Sequence, residues 1–310
     1  MLRGIHSQVF TRFEQNQNFN PDLIPSHASI NPDQYIERNF LSTLFSIEAR
    51  YLPNKQIFLA SQIPSQAIIE IQRSLMSAKQ VGIFLSNQDR LRILYSTFRA
   101  MGYRIGRDSN GGFLTLNLLD ADVQARGMLS CRFSLLAYGI AQELGWNVTV
   151  RRARNHIYLH WKDEHGNPFN MDVAIVNPAA PVRERYSVTR SFQDPFYIRH
   201  YELPSETIGL DAIYLRDLTE QELISEVYDS IGFEMARSRR DYDQALECYN
   251  QALGLDPRNV QARYHRAIVY YRAGRLDEAM ADCQRILGIY PGYPGVTNLI
   301  SSIQVLQPNR

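Results

Sequence analysis

A repeat of 34 residues near the C-terminus constrains the fold of this 310-residue chain more than any other feature of its sequence. The positions that carry the repeat hold small, aromatic, aliphatic or proline residues: Tyr242, Ala245, Tyr249, Ala252 and Pro257 return as Leu276, Ala279, Cys283, Ile286 and Pro291. Small residues at Ala245 and Ala279 let two antiparallel helices approach closely, and a proline ends the helix before it. The repeat therefore predicts stacked helical hairpins.

Both ends of the repeat region carry signals of their own. Thr219 and Glu222 are spaced as in a capping box, so a helix is predicted to begin just after Thr219. The sequence after Pro294 predicts a last helix that covers the open end of the array. Over about 90 residues this pattern resembles the tetratricopeptide repeat family, although Arg240 stands at the position that Gly274 holds in the second copy. The resemblance implies two helical hairpins and a cap.

The tetratricopeptide resemblance leaves two roles open for the repeats. In that family a concave face holds a peptide or a protein segment, which makes a protein partner in this groove the expected ligand. A short array can instead dock against the rest of the chain and stabilise it. Cys248 and Cys283 lie at helical positions inside the predicted packing, and we expect both to be buried structural thiols.

Composition limits the classes of protein to which the chain can belong. A length of 310 residues with 45% hydrophobic residues is typical of a soluble protein of two domains. The formal net charge of +1 provides no overall field that favours nucleic acid or an acidic membrane surface. No segment approaches the roughly 18 consecutive apolar residues of a membrane span, and residues 1–20 lack the apolar core of a signal peptide. We therefore expect a cytoplasmic protein with no nucleic-acid partner.

Upstream of the repeats, the first part of the chain is expected to be helical. Apolar residues recur at intervals of three and four in the segments Tyr35 to Tyr51, Ser65 to Ala78 and Arg90 to Met101. Pro53 and Pro64 lie between these segments, which predicts amphipathic helices that are separated by the prolines. A loop is predicted next, from Gly102 to Gly112, because this segment is rich in glycine.

The central part predicts a buried helix followed by an antiparallel meander, which is an α+β arrangement. Arg132 to Leu144 carries apolar residues nearly all round a helix, so this helix is expected to be buried, and Gly145 ends it. Strands are predicted after it, at Trp146 to Arg152, His156 to Trp161 and Pro168 to Ile175.

This order of elements brings three chemically active side chains toward one another. Cys131 lies in the first turn of the buried helix, His156 begins one predicted strand and Asp172 lies in the next. A helix N-terminus lowers the pKa of a cysteine thiol, and its backbone N–H groups can stabilise an oxyanion. A neighbouring imidazole can take the thiol proton, and a carboxylate can orient that imidazole. Cys131, His156 and Asp172 are therefore the candidate catalytic residues.

The segment from Cys131 to Asp172 resembles the transglutaminase-like superfamily of papain-like thiol enzymes. The match rests on Cys131 at the start of a buried helix, Gly145 at its end, His156 two residues before Tyr158, and Asp172. It departs from the family pattern at Tyr158, where the family has tryptophan, and directly after Asp172, where the family has proline. The resemblance implies a Cys-His-Asp triad and implies no metal or organic cofactor.

Taken with the repeats, the chain resembles bacterial regulator proteins that combine a transglutaminase-like domain with tetratricopeptide repeats. This resemblance implies a helical region packed on the core at residues 1–85, a transglutaminase-like domain at 86–218, and repeats with a capping helix at 219–310. One implied function is acyl transfer at an amide bond of a protein or peptide substrate, as hydrolysis, deamidation or transamidation. The other is an inactive scaffold that binds a protein partner through its repeats, because such regulators often lack the cysteine.

Other polar residues of the central region have alternative interpretations. His160 is a competing base, but it lies at the far end of the predicted strand. A metal bound jointly by His156 and His160 is not expected, since residues four apart on a strand are separated by about 13 Å. Arg151, Arg152 and Arg154 either hold an anionic group of a substrate or form a solvated strand edge.

Overall fold

The computed structural model describes residues 39–51, 54–101, 104–106, 127–172, 194–208 and 213–306. Within these ranges the chain combines helices with a small antiparallel sheet, and its C-terminal part is helical. The division of the chain at residues 85 and 218 remains a prediction.

Helices α1, α2 and α3 precede the sheet, at Phe40–Ala49, Asn54–Gln80 and Asn87–Ala100. Asn39 caps α1, because its Oδ1 accepts a hydrogen bond of 2.8 Å from the backbone N–H of Ser42. The prediction that Pro64 separates two helices is wrong, since α2 continues through it. Ala67 and Ile71 on the next turns are fully buried, and this packing outweighs the backbone hydrogen bond that a proline cannot donate.

The predicted buried helix is confirmed as α4, at Ser130–Glu143. The ring of Phe133 packs edge-on against Tyr95 of α3, with ring centroids 5.9 Å apart. Gly139 lies against Leu41 of α1, so the two helices approach at a residue without a side chain. These contacts bury α4 between the N-terminal helices and the sheet.

A short parallel pair of strands joins the chain on either side of the residues 107–126. Strand β1, at Arg104–Gly106, pairs with β2, at Gly127–Leu129. The predicted loop from Gly102 to Gly112 is therefore wrong at β1. Three-residue strands carry no periodic pattern, and their partner is far away in the sequence, so the sequence gives no signal for this pair.

The predicted antiparallel meander is confirmed, with strand order β3-β4-β5. Its strands are β3 at Thr149–Ala153, β4 at His156–Lys162 and β5 at Pro168–Met171. In the register, Arg151 faces Tyr158 across one ladder and Leu159 faces Met171 across the other. Asp172 follows β5 directly, whereas the predicted continuation to residue 175 lies outside the described residues.

Both faces of this sheet are covered, so every residue of β4 except Lys162 is buried. Ile157 and Leu159 join the same hydrophobic core as α4, while Tyr158 packs on the opposite side. Helix α5, at Asp194–His200, lies over that opposite side. We call this side of the sheet the polar face, because His156, His160, Asn170 and Arg151 share it.

Residues 213–218 extend the sheet along the outer edge of β3. The backbone N–H of Leu215 donates to the carbonyl of Arg152, and that of Leu218 donates to the carbonyl of Val150, each at 2.8 Å. The free edge of β3 is therefore occupied by the segment that leads into the repeats.

The C-terminal hairpins and cap are confirmed, as α6 Glu220–Glu234, α7 Tyr242–Leu255, α8 Val260–Arg272, α9 Leu276–Ile289 and α10 Val296–Leu306. Thr219 and Glu222 form the predicted capping box.

Arg240 has a left-handed φ of 55°, and Gly274 has the corresponding value of 74°. The arginine therefore adopts the backbone conformation that a glycine provides in the second copy. One hydrophobic core includes residues of α4, the sheet, α6 and α7.

Candidate functional site

His156 and Asp172 form a buried pair on the polar face. The Nε2 atom of His156 lies 2.7 Å from Oδ2 of Asp172. The histidine side chain is 5% exposed and the aspartate side chain is fully buried. A hydrogen bond of this length in a low-dielectric site fixes the orientation of the imidazole ring.

The local sequence explains how these two residues meet. Arg154 and Asn155 form the turn between β3 and β4, and Asn155 has a left-handed φ of 56°, which asparagine tolerates well. His156 is the first residue after this turn and pairs with Ala153. Asp172 extends the adjacent strand β5, so both side chains belong to the same end of neighbouring strands.

The first turns of α4, whose backbone includes Cys131, lie beside the start of β4. The N–H of Trp146 donates to the carbonyl of Ala141 at 2.8 Å and closes the C-terminal end of α4. The Ser134 hydroxyl donates to the carbonyl of Ile157 at 3.3 Å, which joins the first turns of α4 to the residue after His156.

The helical period places Cys131 one turn before Ser134 on the same side of α4. The backbone of Cys131 belongs to the first turn of this helix, whereas its side chain lies outside the described part of the structure. The structure thus brings His156 and Asp172 together, and the contact between Cys131 and His156 remains a prediction.

Aromatic rings surround His156. Tyr201 stacks on its imidazole, with ring centroids 5.6 Å apart and an angle of 20° between the planes. Tyr158 lies on the same strand, and its ring stacks on Tyr197 of α5 at 4.0 Å. The sequence did not indicate Tyr197 or Tyr201 as site residues, because they lie 25 and 29 residues after Asp172 and α5 was not predicted.

His160 has a different partner, which sequence reasoning missed. Its Nδ1 atom lies 2.6 Å from Oδ1 of Asn170, the residue opposite it on β5. Burial lowers the pKa of His160 below its ordinary value, although the bond to Asn170 opposes this effect. His160 also pairs with Thr149 at the other end of the β3–β4 ladder, away from the turn that precedes His156. Asn170 stands two residues before Asp172, so the two side chains lie on the same face of the strand. This spacing was the sequence signal that could have indicated Asn170 as a residue of the polar face.

No cluster of three or more His, Cys, Asp or Glu side chains that could hold a metal ion occurs in the described parts of the chain. Asn170 supplies an amide and not a carboxylate beside His160, which suits a neutral hydrogen-bonded pair.

Two members of the arginine cluster before His156 form close ion pairs within the fold, and both alternatives from the sequence are wrong for Arg152. Its guanidinium is 5% exposed and lies 2.8 Å from Glu226 of α6 and 2.8 Å from Asp256 after α7. Arg151 donates from Nε to Asp217 at 2.7 Å. The carboxylates that neutralise these arginines come from distant segments, so the cluster alone could not reveal them.

Cys248 and Cys283 are fully buried and form no disulfide, which confirms the prediction of buried thiols. Burial raises the pKa of each thiol to about 11. A thiol of this kind is a poor nucleophile at neutral pH.

Residues 236–294 match the family model of the tetratricopeptide repeat. No curated protein matches the chain in sequence. Among the helices in the described ranges, none combines the length and the apolar character that crossing a bilayer requires. The matched residues begin just after α6 and end in the turn before α10, and repeats of this family support a role in protein interaction.

Proposed function

We propose that this chain catalyses thiol-dependent acyl transfer at an amide bond, with Cys131 as nucleophile, His156 as proton carrier and Asp172 as orienting acid. The observation that carries the proposal is the buried bond of 2.7 Å between His156 Nε2 and Asp172 Oδ2, and the residue after His156 is bonded to Ser134 of α4. The resemblance of this segment to transglutaminase-like enzymes supports the same three roles.

In the proposed reaction, the thiolate of Cys131 attacks the carbonyl carbon of the amide and forms a C–S bond. The carbon–nitrogen bond breaks as His156 gives its proton to the leaving nitrogen, which produces a thioester. Water or an amine then attacks the thioester while His156 takes its proton, and the C–S bond breaks. Water yields hydrolysis or deamidation, whereas an amine yields transamidation.

The elements around the triad suit each step. Because Asp172 engages Nε2 of His156, the imidazole offers its Nδ1 side to the thiol. The start of α4 favours a thiolate at Cys131 through the aligned backbone dipoles, and its N–H groups can stabilise the oxyanion. The proposed substrate is a protein or peptide, and the repeats recruit a protein partner.

The alternative function is a catalytically inactive scaffold that binds a protein partner through its repeats. The match of residues 236–294 to the tetratricopeptide repeat favours this alternative, because it concerns the repeats alone and is independent of Cys131.

The two functions are separated by labelling the native chain with a broad thiol-directed electrophile and locating the adducts by mass spectrometry. We expect labelling at Cys131 that is lost in Cys131→Ala and falls at least about tenfold in His156→Ala. His165→Ala is the matched control, since His165 is exposed in the turn between β4 and β5 and should leave labelling unchanged. Equal labelling of Cys131 in the His156→Ala variant and the native chain would exclude an activated nucleophile and favour the scaffold.

A further inference from the structure

The imidazole of His156 is covered on one face by the ring of Tyr201. Their ring centroids lie 5.6 Å apart with an angle of 20° between the planes, which is a stacked arrangement. Both residues are buried, and Asp172 lies at the Nε2 edge of the same imidazole. The histidine therefore meets a hydrogen-bond acceptor at its edge and an aromatic ring on its face.

A helix cap holds Tyr201 in this place. Glu202 has a left-handed φ of 48°, and the N–H of Leu203 donates to the carbonyl of Ile198 at 2.9 Å. These two features are those of a Schellman motif, which ends the helix α5 at Tyr201. The N–H of Tyr201 donates to the carbonyl of Tyr197 at 3.0 Å, so the last turn is closed by its own backbone bond.

Two contacts fix α5 on the sheet. Asp194 at the start of the helix accepts a bond of 3.5 Å from Arg151 of β3. Tyr197 in the middle of the helix stacks on Tyr158 of β4, with ring centroids 4.0 Å apart. The helix is therefore held at two points, and its last turn places the ring of Tyr201 over the imidazole.

The stack controls the plane of the imidazole. The χ2 torsion of histidine is broad, so the rotamer alone does not set this plane. The bond to Asp172 acts on Nε2, which lies nearer the Cβ–Cγ axis than Nδ1 does, so a residual rotation about χ2 moves Nδ1 more than Nε2. A ring packed on the face opposes that rotation. It therefore constrains Nδ1, the atom that takes the thiol proton in the function proposed above.

The stack also keeps water away from the bond between His156 and Asp172. Water competes for the proton of an exposed imidazole, whereas a hydrogen bond in a dry, low-dielectric site is stronger. The side chain of Asp172 is fully buried and that of His156 is 5% exposed, so little surface is left for water at this proton. The ring of Tyr201 is part of the cover that excludes it.

We propose that Tyr201 is a positioning residue, whose ring holds the plane of the His156 imidazole and shields the proton between His156 and Asp172 from water. Its importance for catalysis rests on the function proposed above, but this proton can be observed without turnover. Tyr201 acts through His156 and is not a catalytic residue.

The test is the rate at which the Nε2–H proton of His156 exchanges with water, measured by NMR of the full chain labelled with ¹⁵N-histidine. The signal is assigned by its loss in His156→Ala. In Tyr201→Leu the ring is lost while an apolar side chain remains, and we expect the exchange to be at least about tenfold faster. Tyr201→Phe keeps the ring, so its exchange rate should match that of the native chain.

Tyr249→Leu is the matched control, because Tyr249 is a fully buried tyrosine of the repeats and its replacement measures what a general loss of stability contributes. The exchange rate of the His156 proton should stay unchanged in this variant. Tyr201→Met is a second variant without a ring, for the case that Tyr201→Leu does not fold, because the flexible methionine side chain fills irregular space well. Far-UV circular dichroism shows whether each variant is folded.

A native exchange rate in a folded variant without the ring would overturn the role of Tyr201. Faster exchange in Tyr201→Phe, or equally fast exchange in Tyr249→Leu, would overturn it as well. The labelling of Cys131 in the native chain remains a separate test of the enzyme. Faster exchange in Tyr201→Leu, in a protein whose Cys131 is not labelled, would support the role of Tyr201 and contradict the proposed enzyme.

Discussion

The guanidinium of Arg152 lies 2.8 Å from the carboxylate of Asp256, although 104 residues separate them in the sequence. The same nitrogen lies 2.8 Å from Glu226, so one cation on β3 neutralises a carboxylate of α6 and the carboxylate that follows α7. Burial raises the pKa of Glu226, and the charge of Arg152 opposes this effect. The sheet and the repeats are therefore joined by a buried ion cluster.

We expect Arg152→Ala to destabilise the whole chain by about 3–5 kcal/mol, because two carboxylates remain buried without their cation. Urea unfolding followed by far-UV circular dichroism measures this loss. Arg154→Ala is the control and should cost less than about 1 kcal/mol, since Arg154 faces Glu202 at 3.7 Å and Glu202 is 84% exposed. Equal losses of unfolding free energy in Arg152→Ala and Arg154→Ala would show that the buried cluster contributes no more to stability than an exposed ion pair.

The capping box of α6 should make stability depend on pH in the acid range. Burial alone would raise the pKa of Glu222, but hydrogen bonds from Arg216 and Thr219 outweigh it and lower the pKa to about 2. The folded value lies below the unfolded value of about 4.3, so the stabilisation is complete above about pH 5 and is lost as the pH falls toward 2.

In Glu222→Gln we expect a loss of about 1–2 kcal/mol at pH 7, after allowance for solvent screening, and only a small difference from the native chain near pH 2. Urea unfolding at several pH values provides the measurement. Glu220→Gln changes an exposed residue of the same helical turn and should show no such convergence. If the difference in unfolding free energy between Glu222→Gln and the native chain stayed constant across the pH range, the pH dependence would not come from Glu222.

The close contact between α1 and α4 leaves no room for a side chain at Gly139. A Cβ atom there would overlap Leu41 and lie 3.3 Å from Phe40, so Gly139→Ala should cost about 1–3 kcal/mol. Gly254→Ala in α7 meets no atom within 4 Å and should stabilise the chain by about 0.5 kcal/mol through helix propensity. Thermal unfolding of both variants tests the pair, and stabilisation by Gly139→Ala would disprove this packing.

Cys248 and Cys283 should resist alkylation in the native chain. Because burial raises the pKa of each thiol to about 11, roughly one molecule in a thousand carries a thiolate at pH 8. We expect iodoacetamide to modify neither cysteine under native conditions and both in concentrated urea, as followed by peptide mapping. Modification of either one at the rate of an exposed cysteine in the native chain would contradict their burial.

The elements that could be predicted from the sequence are those whose pattern is local. The repeat indicated α7 and α9, the spacing of Thr219 and Glu222 indicated the start of α6, and the apolar helix before Gly145 indicated α4. In each case the side chains that specify the element lie within a few residues of one another. Hydrophobic periodicity and caps report such elements directly.

Pairings between distant segments could not be predicted. The sequence placed Asp172 beside His156 because adjacent strands of a hairpin must be neighbours. Nothing local indicates that Tyr201 covers the imidazole or that Asp256 neutralises Arg152, since such contacts arise only when segments with unrelated patterns pack together.

The backbone bonds of Leu215 and Leu218 to the edge of β3 give the chain a mechanical property. The segment between the sheet and the repeats is bonded to β3 at two points, so it cannot leave the sheet unless these bonds break. Moving the repeats away from the sheet would therefore break backbone bonds of β3, the strand that pairs with His156 through Ala153.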